Sequence, residues 1–261
     1  MSRVVSFRSR LRAKEPLVGT FSKTPSPVLH EVLGLTPLDC VCIDAEHAPF
    51  GRSELDLCLL ALRAADMPSL VRVSQAIPSE ILNALDCGAT GILVPHVVSA
   101  DGARAVVQAA HYAIEAGGNR GYAGSSRAAR YTVKPMLEHL RDSAATTTVI
   151  AQIEDAEALD HLDAIAAVAG IDCLFVGRMD LTISLGATQS TDPRVVAAVE
   201  KICAAGAQHG KAIGMFVPPS EDPAIWRKHG ASFFLLASDQ QFVLEGARAL
   251  AALHGKLRSR P

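Results

Sequence analysis

Eight short apolar runs recur along the chain, each followed by a stretch with helical spacing, and few folds can absorb that pattern. The runs are Leu17–Phe21, Cys40–Asp44, Ser69–Val73, Gly91–Pro95, Thr148–Glu154, Cys173–Gly177, Ala212–Val217 and Phe233–Ala237. Between them, Glu54–Ala65 sets Leu55, Leu57, Leu59 and Leu62 against Glu54, Asp56 and Arg63. Ala100–Ala113, Ala156–Ala169, Asp192–His209 and Gln241–His254 repeat in the same way. Strands that alternate with helices pair in parallel through right-handed crossovers, because a tight hairpin cannot join parallel neighbours. Eight such units in 261 residues predict α/β architecture, as one closed (β/α)8 TIM barrel spanning residues 1–261. A doubly wound open sheet is the alternative, but its Gly-x-Gly-x-x-Gly signature after the first strand is missing.

Composition narrows the function classes. Apolar residues make up 49% and charged ones 20%, enough for a sizeable core. The 25 Lys and Arg residues against 27 Asp and Glu leave a net charge of −2, which excludes a broad basic surface for nucleic acid or anionic lipid. No apolar stretch reaches the ~18 residues of a membrane span. The cysteines (Cys40, Cys42, Cys58, Cys87, Cys173 and Cys203) form no Cys-x-x-Cys pair and sit mostly in apolar runs. They read as buried reduced thiols of a cytoplasmic protein. Arg3, Arg8, Arg10 and Arg12 precede the first acidic residue, Glu15. Without an apolar signal core they read as a short basic helix capping the domain rather than a targeting segment. Gly117–Gly124 is the one long irregular stretch, and it lacks the Gly-Lys-Ser/Thr ending of a phosphate loop. A lid or an assembly loop is the expectation there.

In a barrel of this kind chemistry collects where the strands end and the βα loops converge. Strand two runs into Asp44-Ala45-Glu46-His47, strand three ends near Arg72, and strand four closes on Pro95-His96. Strand five carries Gln152 and Glu154, strand six leads into Gly177-Arg178-Met179-Asp180, and strand eight reaches Asp239. Glu154 and Asp180 end adjacent strands about 4.8 Å apart, so together they can share one ion. Hard oxygen donors suit Mg²⁺ or Mn²⁺. Taken singly, Asp180 reads as a helix N-cap and Glu154 as a surface acid. His47 follows two acids, and Asp44 is placed to orient its ring, though a loop histidine capped by its neighbours fits the same spacing. His96 has no visible partner. Arg72, inside an apolar strand, must be paired. It either neutralises a strand-two acid or stabilises an enolate, and one guanidinium can do both.

Some chemistries lack their residues. A Schiff-base aldolase needs a lysine in mid-strand, whereas Lys23, Lys134, Lys201 and Lys228 lie in loops or helices and Lys211 only opens strand seven. The loops after strands seven and eight lack the glycine pair usual in a barrel phosphate site, which disfavours phosphorylated substrates.

The ordered stretches Gly19-Thr20-Phe21, Asp44-Ala45-Glu46-His47-Ala48-Pro49, Leu85-Asp86-Cys87-Gly88-Ala89, Asn119–Gly124, Gln152-Ile153-Glu154 and Gly177-Arg178-Met179-Asp180-Leu181 resemble the HpcH/HpaI class II aldolases over nearly the whole chain. That resemblance implies a phosphoenolpyruvate/pyruvate-type barrel that reversibly cleaves a 4-hydroxy-2-oxo acid to pyruvate and an aldehyde through a metal-bound enolate. It implies Glu154 and Asp180 as ligands of Mg²⁺ or Mn²⁺, with Co²⁺ a further candidate. By the same resemblance, Arg72 contacts the keto oxygen and His47, supported by Asp44 and Asp86, is the acid/base. Gln152, Phe21, Gly177 and the Met179–Asp180 backbone surround the pyruvyl group. Arg178 stands where the family usually carries proline and Ala45 replaces a usual glycine. Arg178 could therefore read a second carboxylate, such as that of an acidic aldehyde, or face solvent. The resemblance also implies a homo-oligomer, trimer or hexamer, with the helix containing Phe242–Leu253 and its basic tail exchanged between subunits. Decarboxylation of oxaloacetate, or cleavage of a citryl- or malyl-type CoA thioester, would use the same enolate site. A barrel kept only to bind a metabolite is the non-enzymatic reading.

Overall fold

Alternation within the strands sorts their side chains between two cores. The computed structural model describes residues 2–258; the basic tail expected at the end of the chain lies partly outside them. Its eight parallel strands are β1 (Leu17–Ser22), β2 (Cys40–Asp44), β3 (Ser69–Arg72), β4 (Gly91–Val94), β5 (Thr148–Ile153), β6 (Cys173–Val176), β7 (Ala212–Val217) and β8 (Phe233–Ser238). They close in sequence order, with β1 pairing to β8, so the (β/α)8 barrel is the fold. Every strand begins at the residue expected from sequence and ends within one residue of it.

Inward-facing Cys40, Cys42, Leu70, Leu93, Ile150, Phe175 and Leu235 fill the barrel. The residues between them, such as Val41, Ile43, Val71, Ile92, Val149 and Leu174, form the larger core under the helices. This period of two is what positions the site. Asp44 lies two residues beyond Cys42, Arg72 two beyond Leu70, and Gln152 and Glu154 two and four beyond Ile150. All four therefore belong to the inward series at one end of the barrel. The register pairs Asp44 with Arg72 and Gln152 with Phe175 across neighbouring strands. Gly214 on β7 leaves room for the rings of Phe175 and Phe233, which a Cβ there would meet at 2.7 and 2.8 Å.

The opposite end is closed by the N-terminal helix Arg3–Arg12, capped by the Ser2 hydroxyl. Phe7 and Leu11 enter the barrel interior fully buried, with Phe7 edge-on to Phe233 at 6.1 Å. Arg8 Nε donates to both oxygens of Asp172 at 3.0 Å and its Nη1 donates to the Ala144 carbonyl. Two expected helices differ. The segment Ala156–Ala169 is a 3-10 turn, Ala156–Asp160, and a short helix, Leu162–Ala166, because His161 between them leaves helical geometry (φ −118°). The helix opening at Ala100 stops at Ala110, where His111 turns extended and its side chain is buried.

Candidate active site

Arg72 and Asp44 form the anchor of the strand-end cluster. Asp44 is fully buried and accepts Arg72 Nε at 2.9 Å and Nη2 at 2.7 Å, in a bidentate pair. It also accepts the His47 backbone N–H at 3.1 Å, and Lys23 Nζ stands 3.1 Å away. Burial alone would raise the Asp44 carboxyl. The Arg72 hydrogen bonds and charge, helped by the His47 N–H and Lys23, overcome that and hold it below the usual carboxylate range. Arg72 also lies over the Phe21 ring at 4.8 Å. The guanidinium is thus fixed on two sides.

Glu154 is the contrasting group. Its carboxylate is 2% exposed and meets neutral donors, the His96 backbone N–H at 3.0 Å and the Gln152 side-chain amide. Burial pushes its pKa up, and the nearby Asp180 charge adds to that. The His96 backbone reaches Glu154 from a left-handed conformation (φ 55°), a strained geometry of the kind that gathers at functional sites. Its ring lies 3.5 Å from Glu154, 3.0 Å from Asp155 and 3.7 Å from Glu46. Burial would lower the His96 imidazole, but Asp155, Glu154 and Glu46 together hold it above its ordinary value. Gly177 packs directly on Glu154, where a Cβ would stand 2.5 Å from Oε2.

These residues fit a divalent cation. One ligand atom each from Glu46, His96 and Glu154 falls within a 4.8 Å span. Glu46 Oε2 and Gln152 Oε1 are buried acceptors with no hydrogen-bond donor, and Glu46, like Glu154, is raised by burial. Arg72 Nε stands 3.2 Å from Glu46 and the His96 ring 3.5 Å from Glu154, yet burial still raises both carboxyls, and a hard cation relieves such crowded acceptors. Sequence reasoning had passed over His96 for want of a partner. The signal was its place at the end of β4, next to β5, where Glu154 sits. Asp180 is exposed on the first turn of helix Arg178–Ser184, and its oxygens are not part of the tight three-residue group.

Beside the cluster opens a cavity of about 420 Å³ lined by Phe21, Arg72, Gln152, Gly177, Met179 and Asp180, with His47 at its edge. The His47 ring, half-exposed, is nearest Glu46, at 3.6 Å. Asp44 holds its backbone rather than its imidazole, because the Asp44 oxygens are taken by Arg72 and Lys23. Asp86 is not brought to His47 within one chain. It ends helix Pro78–Asp86 at the floor, just before β4 begins, and is paired there with Arg120 at 2.7 Å. Helices run back against the strands, so the last residue of this one lies at the far end from the mouth. Arg178 does not face solvent: it is 8% exposed, bidentate to Glu221 and stacked on Trp226 at 5.0 Å.

A closed parallel barrel with an arginine–carboxylate anchor and a cluster of buried acids at its strand ends has the layout of a barrel enzyme, with its site where the strands end. Comparison with known proteins is specific about which. A model of the HpcH/HpaI aldolase/citrate lyase family matches residues 17–245. A 5-keto-4-deoxy-D-glucarate aldolase from Shigella boydii is 34% identical over 234 residues, 89% of this chain and 90% of the relative. An HpcH/HpaI aldolase/citrate lyase family protein of Burkholderia cenocepacia J2315 superposes with a TM-score of 0.89 at 34% identity, covering 97% of this chain and 99% of that one. The structure of the citrate synthase SbnG gives 0.86 at 30% identity, over 98% and 100%. The chain belongs to the HpcH/HpaI aldolase/citrate lyase family, and it is a lyase of the class II aldolase type.

Proposed function

We propose that the enzyme reversibly cleaves a 4-hydroxy-2-oxo acid to pyruvate and an aldehyde with the help of Mg²⁺ or Mn²⁺. The observation that carries this is the pairing of a rigid Arg72, locked by Asp44 at 2.7 Å, with the unsatisfied Glu154 cluster across the same strand ends. Cleavage of the C3–C4 bond leaves its electron pair on the pyruvyl fragment as an enolate. Arg72 is placed to neutralise charge growing on the C2 oxygen, and being held in advance it costs little reorganisation. Glu154, with Asp180 or with Glu46 and His96, would hold the ion, which when bound supplies Lewis-acid polarisation of that oxygen. His47, lining the cavity and beside Glu46, takes the proton from the C4 hydroxyl as the aldehyde forms; a proton delivered to C3 then turns the enolate into pyruvate, and both transfers reverse in the synthetic direction. The Gln152 amide, Gly177 and the N–H groups of Met179 and Asp180 at the start of a helix form the cradle for the carboxylate.

Deuterium exchange into the methyl group of pyruvate, followed by NMR, tests the reading. Metal-dependent exchange that disappears in Glu154→Ala and Asp180→Ala is expected; wild-type protein that never exchanges would refute it. The family's joint description as aldolase and citrate lyase supports a second reading, in which the same enolate site decarboxylates oxaloacetate or cleaves a citryl- or malyl-type CoA thioester. Relative turnover of oxaloacetate and of hydroxy-oxo acids ranks the two. Two broader features belong to the same proposal. The C-terminal helix Asp239–Arg258 leaves Phe242, Val243, Leu244, Leu250 and Leu253 exposed, which supports its exchange onto another copy in a trimer or hexamer, checked by mass photometry. All six cysteines are free and buried, which supports a reducing, cytoplasmic setting. Among the described residues no helix is long and apolar enough to cross a membrane.

A further inference from the structure

The outer end of the cavity is defined by the residues that follow β6 and β7. Arg178, the first residue after Gly177, carries a full positive charge into the lining, and Pro218 opens the loop after β7 on the same rim. Three residues along that loop, Glu221 meets Arg178 with both oxygens, at 2.7 and 2.5 Å. The Trp226 indole N–H donates to the same carboxylate while its ring lies under the guanidinium. The other two strong cations on the lining are also taken, Lys23 by Asp44 and Arg72 by Asp44 and, at 3.2 Å, Glu46. The carboxylate of Asp180 has no cationic partner among the described residues. What remains beyond the pyruvyl end is apolar or neutral: Phe216, Pro218, Ser190, Ser238 and Gln240.

Resting on the aldolase reading above, we infer that the Arg178–Glu221 pair makes the outer end of the cavity electrically neutral, so that the aldehyde handled there carries hydroxyl groups rather than a second carboxylate, and that Arg178 is the residue deciding this. The argument is one of exchange. A substrate carboxylate could claim Arg178 only by displacing an internal carboxylate that already makes a fork-to-fork pair and is held by a third donor. The exchange replaces like with like, gains no net charge-assisted bond, and leaves Glu221 unpaired beside a second anion. A hydroxylated aldehyde has no such penalty and finds Ser190, Ser238 and Gln240 as partners. The substrate class is then a 3-deoxy-2-oxo sugar acid with one carboxylate. The relatives named for a glucarate derivative, which has a carboxylate at each end, set the contrast.

The test uses aldol addition of pyruvate to two acceptors of nearly equal size, glycolaldehyde and glyoxylate, which differ by a hydroxymethyl group against a carboxylate. For each variant the ratio of kcat/KM values is compared with that of the wild type, which cancels the intrinsic reactivity of the aldehydes. Glu221→Gln releases Arg178 and is expected to shift the ratio toward glyoxylate about tenfold, mainly through KM. The double variant Glu221→Gln with Arg178→Met is expected to lose that shift. An equal loss on both acceptors in Glu221→Gln, or a shift that survives without Arg178, overturns the inference. Pyruvate methyl exchange is measured beside it. Exchange with no change in ratio defeats this inference alone, whereas no exchange in the wild type defeats the aldolase reading and this with it.

Discussion

Two buried carboxylates on neighbouring strands show how differently the ends of the barrel are built. Asp172 lies just before β6 at the floor, Glu154 just after β5 at the mouth, and burial raises the pKa of each. At the floor the protein answers that cost itself. Arg8 makes a forked contact at 3.0 Å and the Val149 N–H adds another. At the mouth Glu154 receives an amide and a backbone N–H, and faces Asp180 rather than an arginine. One end spends its ion pair on closing the fold. The other leaves a negative cluster for a cation that arrives from outside, as expected where function and stability pull apart.

The comparison can be broken at either end. The largest effect belongs to the mouth: Glu154→Ala should cut pyruvate exchange by about a thousandfold or more. Its thermal midpoint without metal should not fall, because a carboxylate that burial and the Asp180 charge disfavour has been removed. A matching loss of stability would contradict the division of labour. The floor should behave in reverse. Asp172→Ala leaves Arg8 without its carboxylate and should cost about 3 kcal/mol in urea unfolding, with kcat of the folded fraction unchanged.

Acid should also act first on the floor. His111 is buried near Arg8 and Arg120, and burial followed by those two charges lowers its pKa to about 4. The unfolded chain takes up that proton near pH 6.5, the folded one only near 4. This contribution is therefore fully present above pH 6.5 and is lost as pH falls toward 4, on the order of 3 kcal/mol in all. Urea midpoints at pH 7 and 4.5 should converge in His111→Asn relative to wild type; an unchanged gap would remove His111 from the account. The smallest effect is metal removal. At a hundred times its Kd, Mg²⁺ or Mn²⁺ should stabilise by about 2.7 kcal/mol. A chelator should reverse the gain in calorimetry, and Glu154→Ala should not show it.

The floor and the strands were largely legible because they depend on local pattern. Short apolar runs such as Cys40–Asp44 or Thr148–Glu154 announce the strands and where each starts. The site was legible only as a set of strand ends. That Asp44 and Arg72 share a register follows from parallel pairing, and sequence reasoning did consider a strand-two acid for Arg72. Which carboxylate Glu154 would meet depends on a left-handed residue, His96, whose side chain turns toward Glu46, and no spacing rule reports that. Asp86 shows the limit of a motif. The resemblance sets it beside His47, but helices run back against the strands, so within one chain its last-turn position is at the floor, paired with Arg120. The Glu221 partner of Arg178 was hidden by distance in sequence and by the aperiodic loop that carries it.

The helix that seals the floor has a consequence for synthesis. Phe7 leaves the ribosome well ahead of its ring partner Phe233 on the last strand, and of the Ser232 carbonyl just before that strand, which receives the Leu17 N–H at 2.8 Å. At usual translation rates that partner follows on the order of ten to fifty seconds later. Through that interval the helix carries an uncovered apolar face and β1 keeps one edge open, the situation in which nascent chains associate wrongly. Arg3, Arg8, Arg10 and Arg12 give the waiting helix a charged surface that keeps it in water until the barrel can close over it.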